Sequence, residues 1–514
     1  MALTSVQRVV ISPAEEIGTI NPMLHGHFSE HLGEMIYPGV FVGEDSSIPN
    51  KDGLRLDVLD ALRPLELPVL RWPGGCFADI YDWRDGIGPR AQRPMRLNHT
   101  WGMVPEPNTF GTHEFMAFCR EIGAEPYFAG SLGCGTPGQL RDWVEYCNYG
   151  GESSLADERR ENGARDPFSV RYWGIGNENW GCGGNMSPED YATAYFRYRT
   201  YVCDFSNTKI TGIACGPNGA DWGWTRRFFD KATKDYWNRI GLVQGFAAHY
   251  YCGTAGTATE YTNDQWLELL ARAKAIEGVI DGTRQIMDEY DPERKVQLLL
   301  DEWGAWHPVE KGKPGGGLYQ QNTLRDACVA AISLNAFQSR ADKLVMANIA
   351  QLINVLQSLL LIDGDKCIKT PTYHVFDLFR PHKGATAVRL VSEAESVSDG
   401  GPSAKHCREQ YLGAHSFSLE AVHGSASVSN GSICVTLVNT HPTDTLEVDV
   451  VLRESNWNQV ERVALEASDI HAHNTFDAPN NVTLGAPSFL QGSGDTLRTT
   501  LAPGSTVRLR GKIG

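Results

Sequence analysis

The sequence lacks several features that define other classes of protein. Its 514 residues contain no run of 18 or more apolar residues, so we expect no membrane-spanning helix. No basic segment followed by an apolar one opens the chain, which argues against a secretory signal and favours a cytoplasmic location. There is no tandem repeat and no low-complexity tract. Apolar residues make up 41% and charged residues 21%, a balance typical of a globular protein with a large core.

Positive charge and closely paired cysteines are also scarce. Lys plus Arg number 46 against 62 Asp plus Glu, which gives a net charge of −16. Such a chain repels phosphate backbones and anionic lipids, so nucleic acid and membranes are poor candidate partners and neutral substrates suit it better. None of the 12 cysteines forms a CxxC pair, and Cys203, Cys215 and Cys328 lie in apolar runs. Free thiols in a reducing cytoplasm are the simplest interpretation.

Apolar runs typical of buried strands alternate with helix signals from about residue 20 to residue 380. Ser187-Pro188 reads as a helix start, and Thr112 is predicted to cap a helix that ends near Gly123. This alternation predicts a parallel (β/α)₈ barrel. A doubly wound open sheet stays as the alternative, because a strand count does not show closure. The eight predicted strands are 24–28, 69–72, 126–129, 172–176, 210–215, 246–250, 296–300 and 344–347.

The pattern changes after about residue 383 to short alternating runs separated by turns. Pro503-Gly504 reads as a hairpin turn, and 394–404 as an exposed loop. We expect a C-terminal antiparallel β-sandwich, jelly-roll-like in form, that the strand-like N-terminal segment joins. The predicted division is 1–20 for that segment, 21–383 for a catalytic barrel and 384–514 for the sandwich.

Two glutamates occupy the positions where a barrel places its reactive groups, at the carboxyl ends of strands. Glu178 follows the fourth predicted strand, and Glu302 follows the seventh. A lone glutamate there is more often a surface or ion-paired residue, but two on these strands favour retaining glycoside hydrolysis. Nearby Trp and Tyr rings would provide flat faces for sugar rings. Alternation along the strand predicts that Asp301 points away from the barrel interior and is structural.

These residues resemble the retaining glycosidases built on the (β/α)₈ barrel. Within that clan the chain is similar to glycoside hydrolase family 51, the α-L-arabinofuranosidases, over nearly its whole length. The motifs that carry the resemblance are Gly26-His27-Phe28-Ser29-Glu30-His31-Leu32-Gly33, Arg71-Trp72-Pro73-Gly74-Gly75, Trp83-Arg84-Asp85-Gly86, Phe110-Gly111-Thr112, Gly176-Asn177-Glu178, His249-Tyr250-Tyr251, Asp301-Glu302-Trp303, Asn348-Ile349-Ala350-Gln351, Thr370-Pro371-Thr372-Tyr373 and His473-Asn474-Thr475-Phe476.

The resemblance implies a role for each matching residue. Glu178 matches the general acid/base, and Glu302 matches the nucleophile that forms a covalent arabinosyl-enzyme. Asn177 matches the residue that binds the sugar hydroxyl next to the reacting carbon. Arg71 matches the arginine beside the nucleophile, and Glu30 a substrate-binding carboxylate deep in the pocket.

Further positions are expected to bind substrate. His249 and Tyr251 match residues near the nucleophile on strand six, Gln351 a sugar contact on strand eight, and Trp101 a loop tryptophan at the entrance. Trp303, directly after Glu302, is expected among the substrate-binding aromatic residues.

The chain departs from the family pattern around the pocket. Cys76 stands where many members have Asn, and we expect it to line the pocket. Asn179-Trp180-Gly181-Cys182 replaces the usual Met-Asp-Gly, and Trp303-Gly304-Ala305-Trp306 replaces a Trp-Asn-Val-Trp sequence. The identity of the sugar therefore stays open: a β-D-galactofuranoside, a D-arabinofuranoside or a β-1,4-glucan could also fit.

Other clusters have simpler explanations. His25, His27 and His31 could bind zinc, but hydroxyl binding and packing explain them, so we predict no metal and no cofactor. The glycines at 315–317 lack the residues of a phosphate loop and read as a flexible loop near the barrel mouth. Three aspartates after the second strand bind substrate or brace their loop: Asp79, Asp82 and Asp85.

Together these features predict a retaining exo-α-L-arabinofuranosidase that acts on oligosaccharides from arabinan or arabinoxylan. The alternatives are the same mechanism on another glycoside, an endo-β-1,4-glucanase, or a carbohydrate-binding protein without activity. By resemblance we expect a homo-oligomer, a hexamer built as a trimer of dimers.

Overall fold

The computed structural model describes residues 5–399 and 418–513. The strands, numbered in chain order, are β1 (Gln7–Thr19), β2 (Gly26–Phe28), β3 (Asn50–Lys51), β4 (Leu54–Arg55), β5 (Val69–Trp72), β6 (Arg96–Asn98), β7 (Val104–Glu106), β8 (Glu125–Gly130), β9 (Tyr172–Ile175), β10 (Thr211–Asn218), β11 (Gly245–Gly253), β12 (Gln297–Ala305), β13 (Leu344–Ala350), β14 (Leu360–Asp363), β15 (Lys366–Lys369), β16 (Thr386–Ser392), β17 (Ser396–Asp399), β18 (Ser418–Glu420), β19 (Val422–Ser429), β20 (Ser432–Asn439), β21 (Leu446–Leu452), β22 (Trp457–Leu465), β23 (Ser488–Leu490), β24 (Thr496–Leu501) and β25 (Thr506–Ile513). The helices are α1 (Leu56–Leu62), α2 (Thr112–Ile122), α3 (Pro137–Asn148), α4 (Ser154–Glu161), α5 (Pro188–Tyr201), α6 (Trp222–Thr233), α7 (Asn263–Lys274), α8 (Ile276–Tyr290), α9 (Leu324–Gln338) and α10 (Pro371–Phe379).

Eight parallel strands close into a barrel in the order β10-β11-β12-β13-β2-β5-β8-β9. The predicted barrel is therefore confirmed, and the open sheet is excluded. Each predicted strand overlaps an observed one. The first is shorter than predicted because Pro22–His25 forms a 3₁₀ helix, which the side chain of Asn21 caps.

The ends of two helices show how the sequence sets the loops. Ser187 caps α5 as predicted, since its side chain accepts a hydrogen bond from the Asp190 amide. The predicted cap at Thr112 is wrong, because Thr112 is already the first residue of α2. Gly111 holds the cap position, where a Cβ atom would lie 1.9 Å from the Gly86 carbonyl oxygen.

The second domain is a nine-stranded sheet in the order β23-β22-β25-β20-β19-β16-β1-β21-β24. All its pairs are antiparallel except β1 with β21. The N-terminal strand β1 thus lies inside this sheet, between β16 and β21. The sheet surrounds an apolar core of its own, which includes Val9, Ile11, Val435 and Leu509. A mostly antiparallel β domain beside an α/β barrel confirms the predicted fold class.

One prediction for this domain is wrong, and another falls partly outside the described residues. Pro503-Gly504 does not make a hairpin, because β24 pairs with β21 whereas β25 pairs with β20 and β22. Gly504 (φ +62°) instead faces the barrel: a Cβ atom there would meet the Trp266 ring at 2.7 Å. Within the predicted loop 394–404, residues 396–399 form β17, and residues 400–404 lie outside the described part of the chain. No helix in the described ranges is long and apolar enough to cross a membrane.

Candidate active site

The carboxyl ends of the barrel strands bring the predicted residues together. Arg71 lies on β5, Asn177 and Glu178 follow β9, and Glu302 lies on β12. Three further residues complete the ring: His249 and Tyr251 on β11 and Gln351 directly after β13. In a parallel barrel these ends meet at one face, so residues far apart in sequence share one pocket.

Arg71 is the electrostatic centre of this pocket and is only 1% exposed. Its Nη1 donates to Glu302 Oε1 at 3.0 Å, and its Nη2 donates to Asn177 Oδ1 at 2.6 Å. Its guanidinium carbon lies 4.8 Å from the centre of the Phe28 ring. Burial by itself lowers the pKa of Arg71, but Asp301 and Glu302 outweigh it and raise the pKa above its ordinary value. The guanidinium therefore stays charged and fixes two of the predicted site residues at once.

Glu302 is held at both carboxylate oxygens. Arg71 contacts Oε1, while the Tyr251 hydroxyl donates to Oε2 at 2.9 Å. His249 Nδ1 lies 3.6 Å from the same Oε2. Gly75 leaves room for the carboxylate, since a Cβ atom there would lie 2.7 Å from Oε1. These contacts hold the Glu302 carboxyl group in one orientation, as a nucleophile requires.

Glu178 occupies a strained turn. Its φ of +43° is in the left-handed region, which non-glycine residues rarely adopt. Gly176 before it must be glycine, because a Cβ atom would lie 2.2 Å from Asn179 Oδ1. Asp79 holds the turn from the neighbouring loop, where its Oδ2 accepts the Asn177 amide at 3.0 Å. The strain persists because these contacts determine the position of the carboxyl group.

The protonation of Glu178 is coupled to two neighbours. His249 Nδ1 forms a 2.9 Å hydrogen bond with Glu178 Oε1. Burial raises the pKa of Glu178, the hydrogen bond from His249 lowers it, and repulsion by Glu302 raises it again, with a net upward shift. Burial lowers the pKa of His249, but attraction to Glu302 and Glu178 leaves it raised. A raised pKa favours the protonated form of the carboxyl group, which is the form that a general acid needs.

The two carboxylates lie close together. One oxygen of Glu178, one oxygen of Glu302 and a nitrogen of His249 all lie within 4.8 Å of one another. Retaining glycosidases place their carboxyl groups roughly 5–5.5 Å apart, whereas inverting enzymes need more room for a water molecule. The geometry suits a double displacement.

Glu30 follows β2 at the same end of the barrel, close enough for its carboxyl group to be repelled by Glu302, and is 2% exposed. Its Oε1 accepts hydrogen bonds from the Phe77 amide and from Trp101 Nε1, both at 2.9 Å. Gln351 Nε2 donates to Oε2 at 3.3 Å. Burial and repulsion by Glu302 raise the pKa of Glu30 to about 7 against these hydrogen bonds. The predicted residues Glu30, Trp101 and Gln351 thus form one hydrogen-bonded wall.

Cys76 requires a correction. It is not a free thiol but forms a disulfide with Cys182, 106 residues later. The bridge joins the loop after β5 to the turn after β9, and both sulfurs lie beside Glu178. The other cysteines within the described ranges are unpaired. Cys76 and Cys182 both depart from the family pattern, and this joint departure was the sequence signal that could have revealed the disulfide.

Asp301 also differs from the prediction, because it faces the barrel interior. The Tyr127 hydroxyl donates to its Oδ2 at 2.5 Å, and Arg71 Nε lies 3.7 Å from the same oxygen. Simple alternation fails here because β12 is irregular: its pairing with β11 passes from Leu300 directly to Glu302. Such a bulge turns successive side chains to one face. Asp301 and Tyr127 therefore support Arg71 from below, and sequence reasoning missed both.

Trp303 is the one predicted substrate-binding residue that lies away from the pocket. It has no exposed surface and packs behind the barrel wall. Its ring centre lies 5.1 Å from that of Phe337 on α9 and 6.4 Å from that of Phe376 on α10. Trp306 instead packs against Tyr251, the residue that bonds to Glu302, with 5.0 Å between the two ring centres.

The histidines of the first strand do not converge on a common point. His27 packs on Phe376 at 4.5 Å, and among the described residues the ring nitrogens of His25 and His27 have no hydrogen-bond partner. His31 instead bonds to Glu106 at 2.8 Å. Burial lowers the pKa of His27 to about 3, so it is neutral and serves packing.

Two other groups have a spacing that could hold an ion: Glu178 with His249 and Glu302, and Glu178 with the two bridged cysteines. In the first group His249 Nδ1 already bonds to Glu178 and lies 3.6 Å from Glu302, and in the second the bridged sulfurs are not thiolates. The acid–base interpretation needs no ion at either group.

The loop residues have structural partners. Asp79 accepts the Leu132 and Gly133 amides, each at 2.6 Å, so it braces the loop after β8. Asp85 pairs with Arg96 of β6 at the surface. Gly316 of the triple glycine lies against Gly102, beside Trp101, where a Cβ atom would meet the Gly102 Cα at 2.4 Å.

Comparisons with known proteins agree with this architecture. A family model described as the α-L-arabinofuranosidase 1 domain matches residues 61–263, and one described as the α-L-arabinofuranosidase C-terminal domain matches residues 301–505. The chain is 41% identical over 468 residues to an intracellular exo-α-L-arabinofuranosidase of Bacteroides ovatus, covering 89% of this chain and 86% of that protein. It is 31% identical to a probable α-L-arabinofuranosidase C of Aspergillus niger, covering 92% and 95%.

Solved structures give the same result. The crystal structure of the family 51 arabinofuranosidase from Xanthomonas axonopodis pv. citri superposes with a TM-score of 0.91 at 38% identity, covering 99% of this chain and 100% of that one. The α-L-arabinofuranosidase from Thermotoga maritima, an arabinose complex, superposes with a TM-score of 0.84 at 31% identity, covering 98% and 99%. The chain therefore belongs to the α-L-arabinofuranosidases of glycoside hydrolase family 51.

Proposed function

We propose that this protein is a retaining exo-α-L-arabinofuranosidase, with Glu302 as nucleophile and Glu178 as general acid and base. The observation that carries the proposal is the pair of carboxylates whose oxygens lie within 4.8 Å. Arg71 and Tyr251 hold one of them, and a pKa raised by burial suits the other to proton donation. The sugar assignment rests on the family, whose relatives are named for this activity.

The reaction proceeds in two steps. Glu302 attacks the anomeric carbon while Glu178 gives its proton to the leaving oxygen, which yields an arabinosyl ester on Glu302. Esterification removes the negative charge beside Glu178, so its pKa falls and it becomes a base. A water molecule then gives a proton to Glu178 and attacks the anomeric carbon from the face that the leaving group vacated, which breaks the ester bond and releases Glu302 as a carboxylate. The released arabinose keeps the anomeric configuration of the substrate.

The inner wall fits a single terminal sugar. Glu30 bonds to both Trp101 and Gln351, and Glu30 and Gln351 are almost fully buried. We expect this wall to close the pocket, which suits exo action, whereas an endo enzyme needs a cleft that continues past the site. Asn177, aligned by Arg71, is placed to bind the hydroxyl next to the reacting carbon, where a hydrogen bond strengthens in the transition state.

The first test is the initial rate of 4-nitrophenol release from the α-L-arabinofuranoside, with the β-D-galactofuranoside and the β-D-glucopyranoside run in parallel. We expect fast release from the arabinofuranoside alone. Release only from another glycoside would keep the catalytic pair and refute the sugar assignment. Release from none of them, with reducing ends formed on soluble cellulose, would favour an endo-glucanase.

The role of Glu302 has a direct test. Glu302→Gln should lower turnover by at least about a thousandfold, because the amide is a poor nucleophile. Glu189→Gln, at an exposed ion pair on α5, is the matched control and should change the rate less than twofold. When a reaction of the wild type is quenched with acid, mass spectrometry should find one arabinosyl group on the peptide that contains Glu302. Retained turnover in Glu302→Gln would remove this residue from the mechanism.

The wider setting belongs to the same proposal. We place the domain boundaries near residues 20 and 383, supported by the pairing of β1 with β16 and β21. The relative named intracellular supports a cytoplasmic location and short arabinose-containing oligosaccharides as substrates. A hexamer follows from family resemblance, and light scattering of the native protein would test it.

A further inference from the structure

The disulfide between Cys76 and Cys182 lies against the predicted general acid. Cys182 Sγ is 3.5 Å and Cys76 Sγ is 4.0 Å from Glu178 Oε2. A bridged sulfur carries no proton, so neither atom can donate a hydrogen bond to that oxygen. Glu178 therefore has two different sides: His249 contacts Oε1, and an uncharged, weakly polar bridge faces Oε2.

The bridge also anchors the backbone that carries Glu178. The Glu178 carbonyl accepts the amides of Gly181 at 2.7 Å and Gly183 at 3.1 Å, and these residues flank Cys182. The same turn contains the left-handed φ of Glu178. Strained conformations persist only where their surroundings hold them. Through the disulfide, Cys76 connects this turn to the loop after β5, the strand that carries Arg71.

We propose that the Cys76–Cys182 disulfide is a positioning element that keeps Glu178 in its acid form, and that reduction of the bridge by a thiol narrows the alkaline range of activity. This inference rests on the proposed function. Two molecules of thiol supply two electrons and two protons: the protein S–S bond breaks, Cys76 and Cys182 become thiols, and the reductant leaves as its own disulfide.

The direction follows from the groups around Glu178. His249 and Tyr251 face it from β11, Glu302 from β12, Arg71 from β5, and Cys215 from β10 through the turn amide of Asn179. Cutting the bridge changes no charge among these groups. Two new S–H donors then face Oε2 and stabilise the carboxylate, and a looser turn admits water. Both effects lower the pKa of Glu178.

The bridge is open to attack from solvent. Cys182 is exposed and Cys76 is partly buried, so a thiolate can reach the Cys182 sulfur. Disulfides in reducing compartments are more often redox-sensing or catalytic than structural. Cys203 is an exposed, unpaired cysteine after α5 and provides a matched control.

The experiment measures kcat/KM against pH for the oxidised protein, the dithiothreitol-reduced protein, C76S/C182S and C203S. Two substrates are used: methyl α-L-arabinofuranoside, whose leaving group needs a proton, and the 4-nitrophenyl glycoside, whose acidic phenol needs little help. Reduction or C76S/C182S should shift the alkaline limb of the pH profile for the methyl glycoside to lower pH by about 0.5–1 unit. At pH values above that limb, kcat/KM should fall by roughly three- to tenfold. The 4-nitrophenyl glycoside should change less, and C203S should match the wild type.

Three results would overturn the inference: identical pH profiles for oxidised and reduced protein, an equal loss on both substrates at every pH, or alkylation of Cys76 and Cys182 without reductant. If circular dichroism shows that C76S/C182S does not fold, the pH profile of the dithiothreitol-treated wild type tests the inference. If the bridge resists dithiothreitol, the pH profile of C76S/C182S tests it. An oxidised wild type that cleaves neither arabinofuranoside would refute the proposed function instead.

Discussion

Replacing Glu178 by alanine should separate the two halves of the reaction. The first half needs an acid in proportion to the basicity of the leaving group, whereas the second half always needs a base. We therefore expect kcat/KM for methyl α-L-arabinofuranoside to fall by about 10²–10⁴, and kcat/KM for the 4-nitrophenyl glycoside to fall far less. Because the ester is then hydrolysed slowly, the 4-nitrophenyl substrate should show a burst of phenol followed by a slow steady state.

The magnitude follows from what the substitution removes and what it leaves. A loss of 10²–10⁴ corresponds to about 3–5.5 kcal/mol of transition-state stabilisation. Glu302 keeps its contacts with Arg71 at 3.0 Å and with Tyr251 at 2.9 Å, so the nucleophile remains intact. Removal of the carboxyl group leaves a space beside His249 Nδ1, which loses the hydrogen bond it forms with Glu178 Oε1 and can donate to a small anion instead. Azide should therefore enter and restore turnover of the ester.

Stopped-flow absorbance measures the burst, and NMR identifies the glycosyl azide. Azide attacks the face that water normally uses, so the product should keep the configuration of the substrate. Glu189→Ala is the control and should show neither a burst nor azide rescue. An azide product of inverted configuration, or an unchanged rate on the methyl glycoside, would refute the assignment of the two glutamates.

Three further predictions concern Glu178, Trp303 and Glu30. In Glu302→Gln the repulsion that raises the pKa of Glu178 is gone, so that pKa should fall toward its ordinary value in a ¹³C NMR titration; an unchanged value would leave burial as the only cause. Trp303→Phe should lower the free energy of unfolding by about 1–2 kcal/mol in urea titrations and leave KM unchanged, because the ring packs behind the barrel. Burial raises the pKa of Glu30 to about 7 from 4.5, so its protonation favours the folded state at low pH and this contribution disappears as pH rises through 7. As the pH rises from 4.5 to 8, the free energy of unfolding of Glu30→Gln should therefore rise by up to about 3 kcal/mol relative to that of the wild type, as measured by denaturant titrations. A difference between the two proteins that does not change with pH would contradict the raised pKa.

Local pattern by itself determined much of this protein. Continuous apolar runs separated by helix signals predicted the barrel, because a strand covered on both faces needs apolar side chains at every position. The barrel rule then identified Glu178 and Glu302 without any contact map, since strand ends in a closed barrel converge. The family motifs added Arg71, Asn177 and Glu30: Arg71 bonds to Asn177 and Glu302, and Glu30 bonds to the Phe77 amide and Trp101.

Only the tertiary structure decided the rest, for three physical reasons. The Cys76–Cys182 bridge joins residues 106 positions apart, and proximity at that distance depends on barrel closure rather than on local sequence. The irregular pairing of β12 at Asp301 turns this aspartate into the interior and so defeats the alternation rule. Trp303 faces outward because the opposite face of β12 must be covered by α9 and α10. Sequence determines which chemistry is available at each strand end, and three-dimensional packing decides which side chains face the substrate.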